Sequence, residues 1–313
     1  MTTTGTTAFN LDMNDLIEEA YERCGLELRS GYDFRTARRS LNLLTIEWAN
    51  RGINLWTVEQ GQIPLVTGQA IYPIPVDTID LMDMVIRQYN GNQANQIDIN
   101  ISRIAEPTYM SLPNKLAQGR PIQVWINRQS GNTDAISTTV LANNTGGTIS
   151  STATSITVAS VAYLPTSGFL QIGTETISYP NIVGNTLTNC ARGQNNTTAA
   201  AHADGASVTI QYLPCINIWP TPNSPGSQYT FVYYRMRRIQ DAGTGVREQD
   251  IPFRFIPCMV AGLAYQISTK MPGVDPNRIM MLKADYEQQW QLAADEDRDK
   301  ASLRFVPRNL FYA

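Results

Sequence analysis

One histidine, His202, stands in 313 residues. Histidine-based metal sites and Ser/His/Asp triads need more histidine context than this, so neither is expected. Charge is scarce as well: 16% of residues are Asp, Glu, Lys or Arg, against 42% hydrophobic, and the net charge is −3. That balance is globular but poor in charge for a soluble monomer, and it lacks the basic excess of a general nucleic-acid binder. No apolar run approaches the roughly 18 residues of a membrane span. The opening MTTTGTTAFN has neither a positive n-region nor an apolar h-region, and residues 1–10 are expected to form a flexible arm rather than a secretory signal. Cys24, Cys190, Cys215 and Cys258 are far apart with no CxxC pair, so free thiols in a reducing compartment are expected. Asn143-Asn-Thr-Gly-Gly has no following Lys-Ser/Thr and is not a phosphate loop. Asp241, Glu248 and Asp250 fall in a glycine-containing loop, and Asp295-Glu296-Asp297 reads as a solvated helix end. Nothing forms a nucleophile–base–orienter set, so no catalytic residues, metal or cofactor are expected, and the chain does not read as an enzyme.

What the chain does have is helical periodicity at both ends. In residues 34–52, Phe34, Ala37, Leu41, Leu44 and Trp48 recur at steps of three and four, an apolar stripe that needs partners. Asp33 is its expected N-cap, and Arg51 then Gly52 its C-terminal signal. Residues 11–25 read as a first helix capped by Asp12 or Asn14 and ended by Gly25. Residues 253–270 form a strongly apolar helix with Pro257 in its first turn, and Asp275-Pro276 opens another that runs to about residue 299.

Between these ends the period changes to two. Residues 56–66 and 69–74 read as a hairpin around Thr67-Gly68, and residues 79–88 and 96–101 as a second strand pair. Residues 102–110 read as a short helix interrupted by Pro107. Residues 121–128 read as a strand paired with residues 212–219, and residues 228–236 as another strand. From 131 to 211 the composition turns to Thr, Ser, Asn, Ala and Gly, with only Asp134, Glu175, Arg192 and Asp204 charged. Short β-branched runs between Gly or Asn turns make this a small all-β module, inserted where two paired strand ends already lie together. The expected fold class is therefore α+β: a four-helix bundle built from both chain ends, a central antiparallel β region, and an all-β insertion at a hairpin tip. The expected divisions are a core of 11–130 with 212–301, the inserted domain 131–211, and a tail 302–313.

Three sets of residues bear on partners. Arg35, Arg38 and Arg39 lie on the polar face of the 34–52 helix, and Arg235, Arg237 and Arg238 follow a tyrosine-rich strand. A solvated face or an intersubunit ion pair is the reading for the first set, and a solvated or subunit-bridging strand end, with a nucleic-acid patch as the lesser alternative, for the second; Arg35, Arg38, Arg39, Arg235 and Arg237 are the subunit-interface candidates. The tail carries Arg304, Phe305, Leu310, Phe311 and Tyr312 without a helical stripe, a composition suited to docking on another chain or folding back on its own domain. His202 reads as the organiser of a turn.

Two resemblances follow from these residues. Gly173-Thr-Glu-Thr-Ile-Ser-Tyr, Gly184-Asn-Thr-Leu-Thr, Arg192-Gly, Thr197-Thr-Ala and His202-Ala-Asp-Gly-Ala resemble a small β module that recurs in phage tail and baseplate proteins. The rest resembles the head-to-tail adaptor of short-tailed phages, the tail tubular protein A family. The features are Cys24-Gly25 closing the first helix, Ala37-Arg-Arg-Ser-Leu-Asn, Trp48, Arg51-Gly52, Trp56, Trp219-Pro-Thr-Pro and two closing helices. The insertion departs from simpler members. The resemblance implies a virion structural protein of the neck, assembled in the host bacterial cytoplasm. It implies a homo-oligomeric ring of twelve under the portal protein, with the tail reaching into the portal. A tail nozzle or tail tubular protein and fibres would lie below, with genomic DNA passing through the centre without sequence-specific binding and no membrane involved. The rival expectation is a carbohydrate- or receptor-binding module, with Tyr163, Phe169 and Tyr179 of the insertion as its platform.

Overall fold

The structure is a computed structural model and describes residues 5, 9–52, 55–89, 93–128, 133–142, 147–162, 164–223, 228–243 and 246–297. The chain divides into two compact units, one made of the residues up to Val58 together with those from Arg238 onward, the other Glu59–Arg237.

The first unit holds four of the five α-helices found among the described residues. α1 is Met13–Cys24, α2 is Gly31–Arg51, and the short α3, Glu106–Met110, belongs to the other unit; α4 is Ile256–Ser268 and α5 is Pro276–Glu296. Their ends follow from capping chemistry. The Asp12 carboxylate accepts from the Asp15 N–H, and Asp275 accepts from the Asn277 N–H with Pro276 opening α5. Gly25 and Gly52 sit in the left-handed region at φ 74° and 87°, where their N–H groups close the last turns of α1 and α2. The cap of α2 is Ser30, three residues before the expected Asp33: the Ser30 hydroxyl accepts from the Asp33 N–H and donates to the Asp33 carboxylate, so Asp33 is the third residue of the helix and not its cap.

The architecture corrects the expected fold class. Among the described residues the structure is mixed, about 30% helical and 34% strand, with five helices and many small sheets, and is not a four-helix bundle with a central β region. Two physical reasons stand out. The helices gather on α4 and not around a shared axis: α4 is apolar all round, with ten of its thirteen residues buried, and α1, α2 and α5 each pack on it. Gly262 makes that possible, since a Cβ there would lie 2.8 Å from Tyr286 Cε2 and 2.9 Å from Leu44 Cδ1. Trp48 fills the adjoining space, fully buried, with its indole N–H donating to Tyr286 Oη at 3.2 Å, and Tyr286 Oη in turn donating to Glu47 at 3.1 Å.

The second reason is that the strands scatter over six sheets among the described residues. Val58–Pro64, Tyr229–Arg237, Thr78–Tyr89 and Gln96–Asn100 form one four-stranded sheet in that order; Ile71–Pro73, Cys215–Trp219, Gln123–Asn127 and Ser102–Ile104 form another. The expected hairpin around Thr67-Gly68 therefore does not form: its arms enter different sheets, and the turn carries the chain across. The two sheets share one core, with Leu81, Ile86 and Phe231 from the first meeting Val124, Ile216 and Ile218 from the second.

The Gln123–Asn127 and Cys215–Trp219 strands pair antiparallel, Cys215 opposite Asn127. Next to them Thr133–Val140 pairs antiparallel with Ser207–Gln211. The intervening chain builds a five-stranded sheet and smaller ones around its own core of Ile156, Leu170, Ile172, Ile177, Leu187 and Val208. Phe169, Leu213 and Cys215 form a small buried joint beside Ile71.

Gly262→Ala tests the packing on α4. Overpacking costs about 1–3 kcal/mol, offset in part by about 1 kcal/mol of helix propensity. The urea midpoint followed by circular dichroism at 222 nm is expected to fall; an equal or higher midpoint contradicts this packing.

Candidate interaction surfaces

Among the described residues no group of three or more His, Cys, Asp or Glu side chains is placed to hold a metal ion. All four cysteines are free and buried. Burial pushes the Cys24 thiol up to about 11 and those of Cys190, Cys215 and Cys258 up to about 12, so none is a ready nucleophile.

The densest polar cluster lies in the inserted module and holds the residues of the phage-module resemblance. Glu175 opens the Glu175–Tyr179 strand and is fully buried. Its carboxylate accepts from Arg192 Nε and Nη2 at 2.8 Å, from the Gly193 N–H at 3.0 Å, from the Ala200 N–H at 3.1 Å, and bonds to His202 Nε2 at 2.7 Å. Arg192 also donates to the carbonyls of Ser150 at 2.5 Å and Ala200 at 2.6 Å. Burial alone would raise the Glu175 pKa, but Arg192 first, then the backbone donors and His202, outweigh it and hold the group at about 2. An ionised carboxylate with every acceptor position filled has no role as a base. It clasps the loop between Ala191–Gln194 and His202–Ala203 to the sheet edge, and His202 is part of that clasp.

The arginines expected at subunit interfaces separate into two groups. Arg235 donates to Asp77 at 2.6 Å and to Glu59 at 2.8 Å, while Arg237 donates to Glu59 at 2.6 Å. Burial would lower the Arg235 pKa, yet the bonds to Asp77 and Glu59 raise it. Both arginines thus have partners within the chain. Glu59 and Asp77 lie 176 and 158 positions from Arg235, and no local pattern in the sequence marks them. Arg35, Arg38 and Arg39 remain on the exposed face of α2 and enter no ion pair among the described residues.

That face is unusual. Tyr32, Arg35, Arg39, Leu43 and Ile46 follow one another at steps of three and four, so they share one stripe. Leu43 and Ile46 are 56% and 57% exposed. α5 likewise turns Met281, 71% exposed, and Leu292 outward. Leu43 and Ile46 are one turn apart and form an exposed apolar patch, whereas Met281 and Leu292 are separated on their face by Asp285 and Gln288 and stand singly.

In the same unit a groove of about 510 Å³ opens beside α1 and α4. Its floor is apolar, from Leu11, Ile256, Pro257 and Val260. Its rim is acidic, from Asp15, Glu18, Glu19 and Glu22 of α1. Arg23 also lines it, held by Glu19 at 2.9 Å and by Asp285 at 3.5 Å. Only the acidic spacing at 15, 18 and 22 was available to flag this groove in the sequence, since its floor comes from helices more than 230 positions apart.

Two of the three aromatics of the expected platform are not on the surface of the insertion. Phe169 and Tyr179 are buried, and the Tyr179 hydroxyl donates to the Pro165 carbonyl at 2.8 Å; Tyr163 lies outside the described residues. The docking candidates Arg304, Phe305, Leu310, Phe311 and Tyr312 also lie outside them. No protein-family model matches the chain, and no curated protein matches it.

Glu175→Gln tests the clasp. Leaving buried Arg192 without its counter-charge is expected to cost the inserted module about 3–5 kcal/mol, read as faster hydrogen exchange in Gly168–Ile172 and Ser207–Gln211 with α4 unchanged. In the unmutated chain the folded pKa of about 2 lies below the ordinary 4.5, so this stabilisation is complete above 4.5 and is lost as pH falls toward 2. Exchange corrected for intrinsic rates should show that loss in the unmutated chain and not in the variant; identical pH profiles contradict the clasp.

Proposed function

We propose that this chain is a structural subunit of a head-to-tail connector, a ring-forming adaptor that joins the portal of a short-tailed phage to its tail nozzle and leaves a central conduit for DNA. The observation that carries this reading is the outward stripe of Tyr32, Arg35, Arg39, Leu43 and Ile46 on the 21-residue α2, in a chain whose densest polar cluster is locked in a structural clasp. Burying a large aliphatic side chain contributes about 1.5–3 kcal/mol, and a closed ring of identical copies covers such stripes on every subunit at once. The residues of the adaptor resemblance support the reading by their positions: Cys24-Gly25 closes α1, Arg51-Gly52 closes α2, and Trp219 ends a strand of the second sheet. The resemblance puts the number of copies at twelve.

The tail at 302–313 gives this reading its portal contact. The contacts of a docked segment must offset the conformational entropy lost on docking. Deleting residues 302–313 should leave the hydrogen exchange of α1 to α5 unchanged and abolish co-sedimentation with the portal protein of the same genome. Portal binding by the truncated chain removes the tail from the mechanism, and failure of the full chain to bind the portal overturns the connector reading.

A further inference from the structure

We infer that the copies join head to tail, with the basic-apolar stripe of α2 on one copy seated in the acid-rimmed groove between α1 and α4 of the next; this deepens the ring reading above and rests on it. The two surfaces are complementary in charge and in apolar character, and the one cation lining the groove, Arg23, is already held by Glu19 and Asp285. The groove has a carboxylate rim at Asp15, Glu18 and Glu22 over the apolar floor of Ile256, Pro257 and Val260. The stripe has guanidinium groups at Arg35 and Arg39 beside the exposed Leu43 and Ile46. Arginine suits this position, since its planar head forms paired bonds to carboxylates while its stem covers apolar surface.

The occupant is a second copy because one chain carries both halves unpaired. No ion pair among the described residues joins Arg35, Arg38 or Arg39 to Asp15, Glu18 or Glu22, although all six lie in one unit. Two different patches that recognise each other close into a two-fold dimer only where both fall within one interface and pair reciprocally. With one such contact per interface the contact is heterologous, repeats from copy to copy and closes into a ring when the rotation permits. Charge at the rim sets register and excludes wrong partners, and the apolar floor supplies the area.

The test uses the full chain with Asp15→Cys and Arg38→Cys together, exposed positions at the edge of each surface. The four native thiols are buried and should not react. A short bismaleimide is expected to give a ladder of covalent dimers, trimers and higher species from the double variant, and only dimers from a mixture of the two single variants. Adding Arg35→Glu and Arg39→Glu should lower the ladder yield about tenfold or more. Adding Glu18→Arg and Glu22→Arg as well should restore it, with circular dichroism unchanged throughout. The absence of a ladder, or a ladder insensitive to charge reversal, overturns the head-to-tail contact. If copies of the chain nevertheless add to the portal as a ring, the connector reading survives without this contact. If the ladder forms but the chain ignores the portal, the contact stands and the connector reading falls.

Discussion

Every helix of the first unit owes its place to one constraint, that α4 has no polar face. Met259, Val260, Ala261, Leu263, Ala264 and Ile267 are all buried, so this helix must be covered from several directions. At about 25 cal/mol per Å² of apolar surface removed from water, leaving any side open would be costly. α1 and α2 from the start of the chain and α5 from its end supply the cover. Gly262 lets Leu44 and Tyr286 approach closely enough, and Trp48 with Trp56, Phe255 and Trp290 fills the remainder. Arg51 then fastens α2 to α5, pairing with Glu287 at 3.2 Å and lying over the Trp290 ring at 4.7 Å.

Charge follows a division of labour. In the second unit the strongest charges are consumed internally: Glu175 with Arg192 and His202, Glu59 with Arg235 and Arg237, Arg87 with Asp98 across neighbouring strands. Such buried or half-buried pairs fix geometry more than they add stability. In the first unit the acidic stripe of α1 and the basic stripe of α2 remain open. Two complementary stripes left without an ion pair between them, in a chain with so few charged residues, are the physical content of the adaptor proposal.

Local chemistry was readable in the sequence wherever the signal and its consequence lie within one element. Asp12, Gly25, Gly52 and Asp275-Pro276 mark real helix ends, and the pairing of residues 79–88 with 96–101 and of 121–128 with 212–219 is present in the register. Partner choice was not readable. A period of two reports which faces alternate but not which strand lies alongside, so the arms around Thr67-Gly68 look like a hairpin although they serve two sheets. The stripe of α2 is the longer signal and shows that this helix needs partners, whereas the shorter α4 holds the centre because it is apolar all round. The groove and the Glu59–Arg235 bond depend on residues far apart in the chain, and the Phe169 and Tyr179 rings look exposed in a polar segment until the module's own core claims them.

The most direct test of the connector account is native mass spectrometry of the full chain, alone and mixed with the portal protein from the same genome. The account predicts a discrete layer of twelve copies added to the portal ring, whatever the state of the chain alone. A chain that leaves the portal mass unchanged contradicts it.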